Sequence, residues 1–552
     1  MRRLAWSVVV FTLVWLVLYP NIFVARDSLT VGPVFSVANY TRFLHSPSEL
    51  RALWNSIWIS LASVGLSALI GIPLAFFFTR FDFPGRRLLG ALVSLPVLLP
   101  PLVGVIAFMF LYGETGFLTR AVQVVFGMRH APWRLNGPGA VLLVHAYTMY
   151  VYFYLFVSAG LARLDTSVIE AASALGASRR RTWLRVVLPM LAPAIGGAAL
   201  LVFMTSMGSF SAPYVFGGGF RVLTTQVFAS KLNGELGMAA VETVILAISS
   251  IIFLLWLQRY ESGRVYTGAA KGAARDFARS KYSTLHRWLL TLAGAAIALF
   301  LILPHLTVLL VSFVPEGTWT TEFIPPRYSL ESYRQIFRSA ETLRPIINSF
   351  AMATWATLGN VVFALLAGYL LARSKARAKS VVDALVALPW ALPGTVLAIA
   401  LASTFSVNQP LAGRIVLVGT SVILPLAYFI RNIPLVTRAT LASFAQFDPA
   451  LEEAAASLGA SGMTTARRVV LPLVMPGLVA GALLAFVTAL GEFVASILLY
   501  THRTRPISME ILSQLRAFNF GAASAYAVLL IVLMTFVFIF GQRAVSEGRS
   551  VG

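Results

Sequence analysis

The sequence predicts an all-α polytopic membrane protein with about 12 transmembrane helices, arranged as two parallel six-helix repeats. Three observations support this fold class. The 552-residue chain is 58% hydrophobic and 12% charged, with a mean hydropathy of +0.81, whereas soluble domains carry about a quarter charged residues. Its apolar stretches are long enough to cross a bilayer. A distinctive segment of the first half also recurs 283 residues later, which indicates an internal duplication.

The duplicated segment spans 165–193 and aligns without a gap with 448–476. The two copies share 15 of 29 residues, too many for chance resemblance between two membrane segments. In each copy a Glu-Ala-Ala triplet is followed after three residues by glycine and later by Leu-Pro. The shared residues of interest are Asp165, Glu170, Ala171, Ala172, Gly176, Arg185 and Pro189 in the first copy, and Asp448, Glu453, Ala454, Ala455, Gly459, Arg468 and Pro472 in the second.

Apolar runs of about 20 residues predict the membrane spans, because a helix satisfies its own backbone groups in lipid. The first run is longer than a signal-peptide core, so we expect it to be retained as a helix. The predicted spans lie near 4–25, 53–79, 88–112, 138–160, 193–216 and 239–258 in the first repeat, and near 288–313, 346–372, 381–405, 414–436, 476–500 and 523–542 in the second.

These spans divide the chain into a first repeat at 1–258, a basic linker at 259–287 and a second repeat at 288–552. Six helices followed by an inside linker return the second repeat in the same orientation, so the repeats are parallel. The linker is expected to be a flexible cytoplasmic segment, with lipid headgroups as an alternative contact. Ten extra residues of the first repeat are expected in the external loop 113–137, since surface loops tolerate insertions.

Charge predicts the orientation of the chain. Lys and Arg are enriched in the segments that this topology places inside, so both termini and the loops at 161–192 and 444–475 are expected in the cytoplasm. This bias explains the net charge of +22 better than nucleic-acid binding does. The sequence has no cysteine, and its six histidines show no metal-ligand spacing, so no metal site is predicted.

The repeated segment resembles the Glu-Ala-Ala loop of permease subunits in ATP-binding-cassette (ABC) importers, and the resemblance covers almost the whole chain. It implies a fused, two-repeat permease of the type I importer fold in a bacterial inner membrane. The implied partners are two ATPase subunits, which dock on the cytoplasmic loops, and an extracytoplasmic solute-binding protein, with one fused chain per transporter. The sequence has no phosphate-binding loop. ATP and Mg are therefore assigned to the ATPase, with no cofactor and no catalytic residue in this chain.

Under this resemblance the residues shared by the two loops couple the chain to the ATPase. Each aspartate is expected to cap a short helix, each glycine to end it, and each Leu-Pro pair to mark the return into the membrane. For the glutamates, contact with the ATPase and pairing with Arg185 or Arg468 of the same loop both remain open. Arg179–Arg181 corresponds to Gly462–Thr464, which indicates either unequal docking or drift of a solvated face.

The segment after each loop contains the candidate lining of the substrate pathway. Glu492 is ionisable within a hydrophobic span, which is costly in lipid, so it is expected to face a cavity or a partner. Its counterpart in the first repeat is Ser209. A structural hydrogen bond between helices is the alternative role. The candidate pathway residues are Thr205, Ser206, Ser209, Thr488 and Glu492.

Two further stretches, 388–398 and 505–511, resemble fused ferric-iron permeases, which implies ferric iron as the substrate. Fused permeases for 2-aminoethylphosphonate, thiamine and related small solutes have similar stretches, so these substrates remain alternatives. A secondary transporter with 12 spans would also show two six-helix halves, but it would require intramembrane charges for ion coupling. A non-transporting scaffold that engages an ATPase is a third class. ATP-dependent uptake separates the three.

Overall fold

The first repeat is almost entirely helical. A computed structural model of the chain describes residues 2–162, 164, 166–262, 283–318, 324–373, 379–446 and 448–550. The short strands β1 (Thr30–Val31) and β2 (Val34–Phe35) pair antiparallel. The helices are α1 (Arg2–Leu13), α2 (Tyr19–Ser28), α3 (Ala38–His45), α4 (Pro47–Arg80), α5 (Arg86–Ser94), α6 (Pro101–Tyr112), α7 (Phe117–Phe126), α8 (Gly137–Ala162), α9 (Thr166–Ala174), α10 (Arg179–Thr182), α11 (Leu188–Met190), α12 (Ala192–Met207), α13 (Ser211–Phe216), α14 (Leu223–Leu232) and α15 (Leu236–Ser262).

The second repeat largely repeats this order, but its described residues contain no strand pair and no counterpart of α7 between α20 and α21. Its helices are α16 (Thr284–Val311), α17 (Glu331–Arg338), α18 (Ala340–Arg373), α19 (Lys379–Ala391), α20 (Gly394–Phe405), α21 (Ile423–Gln446), α22 (Ala450–Ser457), α23 (Gly462–Thr465), α24 (Leu471–Leu490), α25 (Val494–Leu499), α26 (Ile507–Arg516) and α27 (Phe520–Ser550). The chain also forms π-helical turns at Val14–Leu18, Trp183–Val187 and Ala466–Val470, and 3-10 turns at Leu95–Leu98 and Pro410–Ala412.

Nine helices of the described residues are long and apolar enough to cross a membrane, or 11 if each of two bent pairs counts as one span. The sequence predicts about 12. The predicted span near 414–436 corresponds to α21, which is absent from that set and carries Arg431 and Arg438. With α21 included, each repeat contributes six membrane elements, as the sequence predicts.

Several predicted spans are interrupted rather than continuous. The segment predicted at 381–405 is α19 followed by α20, bent by 105°. The segment predicted at 88–112 is α5, a 3-10 turn and α6, while those predicted at 193–216 and 476–500 break before α13 and α25. The breaks lie at proline and glycine, since proline lacks a backbone N–H and glycine weakens a helix interior.

The repeat-related Asn-Ser pairs tie the long second span to the outer helix of each repeat. In the first repeat Asn55 donates to a carbonyl group of the loop before α14 (2.8 Å). The Ser56 hydroxyl accepts from the N–H of Leu223, the first residue of α14 (2.8 Å). In the second repeat Asn348 and Ser349 make the same contacts with the segment that begins α26. Their recurrence is therefore explained by helix capping rather than by substrate chemistry.

The first span of each repeat packs against the other repeat. Helix α2 lies on α20, and α16 lies on α5 and α6. The Trp15 indole donates to the carbonyl group of Leu411 (3.2 Å), and the Tyr147 hydroxyl donates to the carbonyl group of Leu301 (2.6 Å). One buried apolar core contains residues of both repeats. The two halves are therefore interlocked rather than side by side.

Candidate functional site

Each Glu-Ala-Ala loop folds as a short helix, α9 in the first repeat and α22 in the second; we call these the coupling helices. Helix α22 is capped by Asp448, whose carboxylate accepts from the N–H of Ala450 (2.9 Å), as its position before the triplet predicts. Asp165, the corresponding residue of the first repeat, lies outside the described residues.

Glycine ends both coupling helices in a left-handed conformation. The φ angle is +76° at Gly176 and +81° at Gly459. Each glycine N–H bonds to the carbonyl group three residues earlier, and the next N–H bonds to the carbonyl group of Ala172 or Ala455, all at 3.0 Å. This pair of bonds is the Schellman arrangement that terminates helices at glycine.

Replacing Gly176 and Gly459 by alanine is expected to destabilise both helix ends by about 1–2 kcal/mol each, because a Cβ disfavours the left-handed conformation. Added Cβ atoms would meet nothing within 4 Å, so backbone strain is the whole effect. ATP-driven uptake by the double variant should fall several-fold. The matched control is Gly462→Ala, at a glycine without positive φ and with equally open space. A control that loses as much uptake would contradict the conformational explanation.

The outward face of each coupling helix is apolar. Leu175 and Leu458, which are repeat counterparts, are 88% and 89% exposed. Val168 and Leu451 lie seven residues earlier on the same face and are 40% and 47% exposed. An exposed alanine of the triplet, Ala171 or Ala454, lies between the two apolar residues of each helix. Positions i, i+3 and i+7 form one stripe on a helix. Exposed apolar stripes of this kind mark interaction sites, and here the stripe occurs twice.

The two triplet glutamates form no ion pair with the part of the chain that the structure describes. Glu170 and Glu453 are exposed, as are Arg185 and Arg468. Among the described residues no basic side chain lies within 4.0 Å of either carboxylate, so the pairing with Arg185 or Arg468 that the sequence left open is not formed. Both carboxylates therefore lie at the surface beside the apolar stripe.

The coupling helices are attached to the bundle differently in the two repeats. In the second repeat Arg373, at the end of α18, forms an ion pair with Glu452 of α22 (2.8 Å), and both side chains are about four-fifths buried. In the first repeat the equivalent Arg80 lies over the ring of Trp183 (5.6 Å). The ring also packs edge-on against Phe76. A direct ion pair therefore holds the second coupling helix, whereas an aromatic contact supports the segment after the first.

The helix continues across each Leu-Pro pair, which the sequence analysis expects to mark the return into the membrane. A π-helical turn precedes each pair, with the N–H of Leu188 bonded to Trp183 and that of Leu471 bonded to Ala466. The wider turn accommodates a ring that would clash with an α-helical carbonyl group. In the second repeat the helix continues through Pro472 to Leu490, whereas in the first it bends by 61° after Met190.

Repeat-related residues meet each other where α12 and α24 end. The rings of Phe210 and Phe493, each 1% exposed, lie 6.0 Å apart. A Cβ added at Gly208 would lie 3.6 Å from Pro393 of the second repeat, and one added at Gly491 would lie 3.3 Å from Pro100 of the first. This reciprocity is typical of a two-fold interface. The pseudo-two-fold axis therefore passes between the two phenylalanine rings, which close the interface.

A second reciprocal contact lies at the end of the bundle opposite the coupling helices. The Lys231 amino group at the end of α14 donates to the carbonyl group of Leu498 in the second repeat. Arg516 at the end of α26 donates to the Tyr214 hydroxyl of the first repeat. Burial lowers the pKa of Lys231 to about 8. The two repeats are therefore joined at this end, away from the coupling helices.

Glu492 pairs with Arg431, a residue that the sequence analysis did not single out. The Arg431 Nε lies 3.3 Å from the Glu492 carboxylate. The other carboxylate oxygen accepts from the N–H of Ala495 at the start of α25 (2.9 Å). An arginine inside the predicted span 414–436 was itself the signal that could have identified it. Thr488, nearby on α24, donates to the side-chain oxygen of Asn432 (2.9 Å).

The first repeat has a cluster of histidine and serine side chains at the equivalent place. His145 of α8 contacts the hydroxyl groups of Ser63 (2.9 Å), Ser206 (3.2 Å) and Ser209 (2.9 Å). His145 and Ser206 are buried, whereas Thr205 is exposed. Of the candidate pathway residues, the structure thus brings Ser206 and Ser209 together through His145, a link that sequence spacing alone did not reveal.

The fold and these surfaces define a duplicated polytopic membrane protein with a short helix that exposes apolar residues on each repeat. The chain matches the family described as "Binding-protein-dependent transport system inner membrane component" at residues 67–265 and 360–546. It belongs to this family. It is a multi-pass inner-membrane permease subunit of an ABC importer, and the family works with an ATPase and a binding protein.

Full-length relatives have the same fused architecture. The chain is 30% identical over its whole length to a probable ABC transporter permease protein, y4fN, of Sinorhizobium fredii, covering 95% of it. It is 26% identical to a ferric transport system permease protein of Actinobacillus pleuropneumoniae, over 98% of this chain and 78% of the relative. It is also 26% identical to a putative ferric transport system permease protein of Haemophilus influenzae, over 90% and 78%. Membership of the family excludes the secondary-transporter alternative.

Proposed function

We propose that the chain forms the translocation pathway through which ferric iron, delivered by an extracytoplasmic binding protein, enters the cell. The observation that supports an ATPase-driven pathway is the pair of coupling helices, whose exposed leucines recur at equivalent positions of the two repeats. Support for iron comes from two relatives named for ferric transport, which span 98% and 90% of this chain.

In the proposed assembly one fused chain engages two ATPase subunits, one at each coupling helix. ATP and Mg are bound by those subunits, and this chain carries no cofactor. Both termini, the coupling helices and the linker 259–287 face the cytoplasm. The residues proposed to couple the chain to the ATPase are Asp165, Glu170, Ala171, Ala172, Gly176, Arg185, Pro189, Asp448, Glu453, Ala454, Ala455, Gly459, Arg468 and Pro472.

The proposed cycle is alternating access driven by the ATPase pair. The contacts of Phe210 with Phe493 and of Lys231 with Leu498 join the repeats away from the coupling helices, which supports an inward-facing resting state. Because the first span of each repeat packs on the other, each moving lobe combines elements of both repeats. Solute would pass near Thr205, Ser209, Thr488 and Glu492, with Ser206 acting through His145.

Uptake by proteoliposomes tests the proposal. The chain is reconstituted with its ATPase and its binding protein, and ATP-driven uptake of ferric iron is compared with that of 2-aminoethylphosphonate and thiamine. The Gly176→Ala/Gly459→Ala variant serves as the weakly coupled control. Iron uptake that requires ATP and falls in the control supports the proposal. If only 2-aminoethylphosphonate or thiamine is taken up, that solute is the substrate instead of iron. Uptake that does not require ATP would refute the coupling scheme.

A further inference from the structure

Arg431 lies on a partly accessible face of α21 in the second repeat. On this face Arg431, Arg438, Ala442 and Ala445 are at least partly accessible, and the stripe runs toward the coupling helix. The other faces of α21 pack against α18, α19, α20, α24 and α25. Because charged side chains within membrane spans face water-filled cavities or partners rather than lipid, we expect water to reach this stripe.

The Arg431 guanidinium group contacts both Glu492 and the backbone near Gly394. Its Nε lies 3.3 Å from the Glu492 carboxylate, with 34% of the arginine and 11% of the glutamate side chain exposed. On another side the guanidinium lies against Gly394, where an added Cβ would be 3.0 Å from Nη1. Glu492 directly precedes Phe493, which closes the interface with Phe210. The arginine is therefore fixed beside the closure, with part of its surface left accessible.

The first repeat shows that the ion pair is not required by the shared architecture. The counterparts of Arg431 and Glu492 are Thr148 and Ser209, and the counterpart of Arg438 is Leu155. The first repeat forms the same α4, α8 and α12 bundle with these uncharged residues. In the second repeat Arg431 is paired with Glu492, and Arg438 is paired with Asp383 of α19 (2.9 Å). A partly buried charge that one repeat does without indicates a role beyond stability.

We propose that Arg431 binds the solute in transit and that this solute presents an anionic oxygen group. The planar guanidinium group donates in a fork that matches carboxylate and phosphonate oxygens. Glu492 orients this fork and balances its charge when no solute is present. The inference rests on the proposed pathway, and for ferric iron it means that the ion passes with an anionic oxygen ligand rather than as a bare trivalent cation.

Neutral substitutions distinguish solute binding from a structural ion pair. In proteoliposomes, Arg431→Gln and Arg431→Gln/Glu492→Gln should both reduce ATP-driven uptake at least tenfold. Recovery of uptake in the double variant would overturn the proposal, because Arg431 would then serve only to neutralise Glu492. The matched control is Arg505→Gln/Glu510→Gln, which removes an ion pair of similar exposure, 28% and 8%, and should transport normally.

A binding measurement separates this inference from the identity of the cargo. The purified complex of permease and ATPase is heated in citrate, in phosphate and in chloride of equal ionic strength. A ligand that binds the folded state raises the unfolding temperature with its concentration. Citrate or phosphate should raise it for the natural chain but not for Arg431→Gln/Glu492→Gln. Equal shifts in both, or none in the natural chain, would overturn the inference. If citrate or phosphate raises the unfolding temperature of the natural chain but iron is not taken up, only the assignment of iron as the solute is refuted.

Discussion

Replacing Leu175 and Leu458 together by glutamate is expected to abolish ATP-driven uptake while the permease remains folded. The two side chains are 88% and 89% exposed, so the chain itself loses no packing. Burying a leucine at an interface contributes about 1.5–3 kcal/mol, which corresponds to about 10- to 150-fold in affinity at each docking site. A buried, unpaired carboxylate would weaken docking further. Because the proposed assembly requires two ATPase subunits to engage, uptake should fall below about one hundredth.

Co-purification of the ATPase and its ATP hydrolysis rate are the measurements that accompany uptake. The control is Leu411→Glu, at a leucine that is 74% exposed and distant in sequence from both coupling helices. That variant should retain the ATPase and transport normally. Loss of uptake with the ATPase still bound at natural affinity would show that the leucines do not form the docking contact.

Replacing Phe210 and Phe493 by alanine is expected to uncouple ATP hydrolysis from transport. Each ring is 1% exposed and contacts its counterpart across the pseudo-two-fold axis. Removing a buried phenylalanine side chain costs about 3–5 kcal/mol, and this contact exists only while the repeats are joined at that end. The state in which the repeats are joined at these rings is the closed state, and the state in which they are separated there is the open state. If the closed state alone loses about 3 kcal/mol, the equilibrium shifts toward the open state by about 150-fold.

The measurement is ATP hydrolysis with and without the binding protein. The double variant should hydrolyse ATP rapidly without the binding protein, since the open state no longer depends on it. Phe203→Ala is the control, because the buried Phe203 ring stacks on Phe253 within the first repeat. This substitution removes a phenylalanine ring without removing the contact between Phe210 and Phe493. Equal basal hydrolysis in the two variants would indicate general loosening rather than loss of the closure.

The local features of the coupling helices could be read from the sequence because they depend on few neighbouring residues. In most proteins an aspartate two residues before a helix caps its start, and a glycine after its last turn ends it. Asp448, Gly176 and Gly459 therefore occupy the places that were predicted for them. The apolar stripe was not predicted, because Leu175 and Leu458 become informative only when their exposure is known.

The residues of the pathway could not be derived in the same way, because their environment is set by distant segments. Glu492 was predicted to need a partner, but Arg431 lies 61 residues earlier on another helix. His145 is likewise linked to Ser206 and Ser209 only by tertiary packing. The interlocking of the first spans was also hidden, since hydropathy locates a helix in the membrane without indicating its neighbours.

The interlocked first spans have a consequence for biosynthesis. Helix α2 ends at Ser28, yet α20, against which it packs, begins at Gly394. At about 5–20 residues per second, the ribosome needs roughly 20 to 70 s to make the intervening chain. During that time the packing surface of α2 faces lipid or a membrane chaperone. A fused chain inserts both repeats into the membrane at one place and in equal numbers. Helix α20 is therefore always made close to the α2 helix of the same chain.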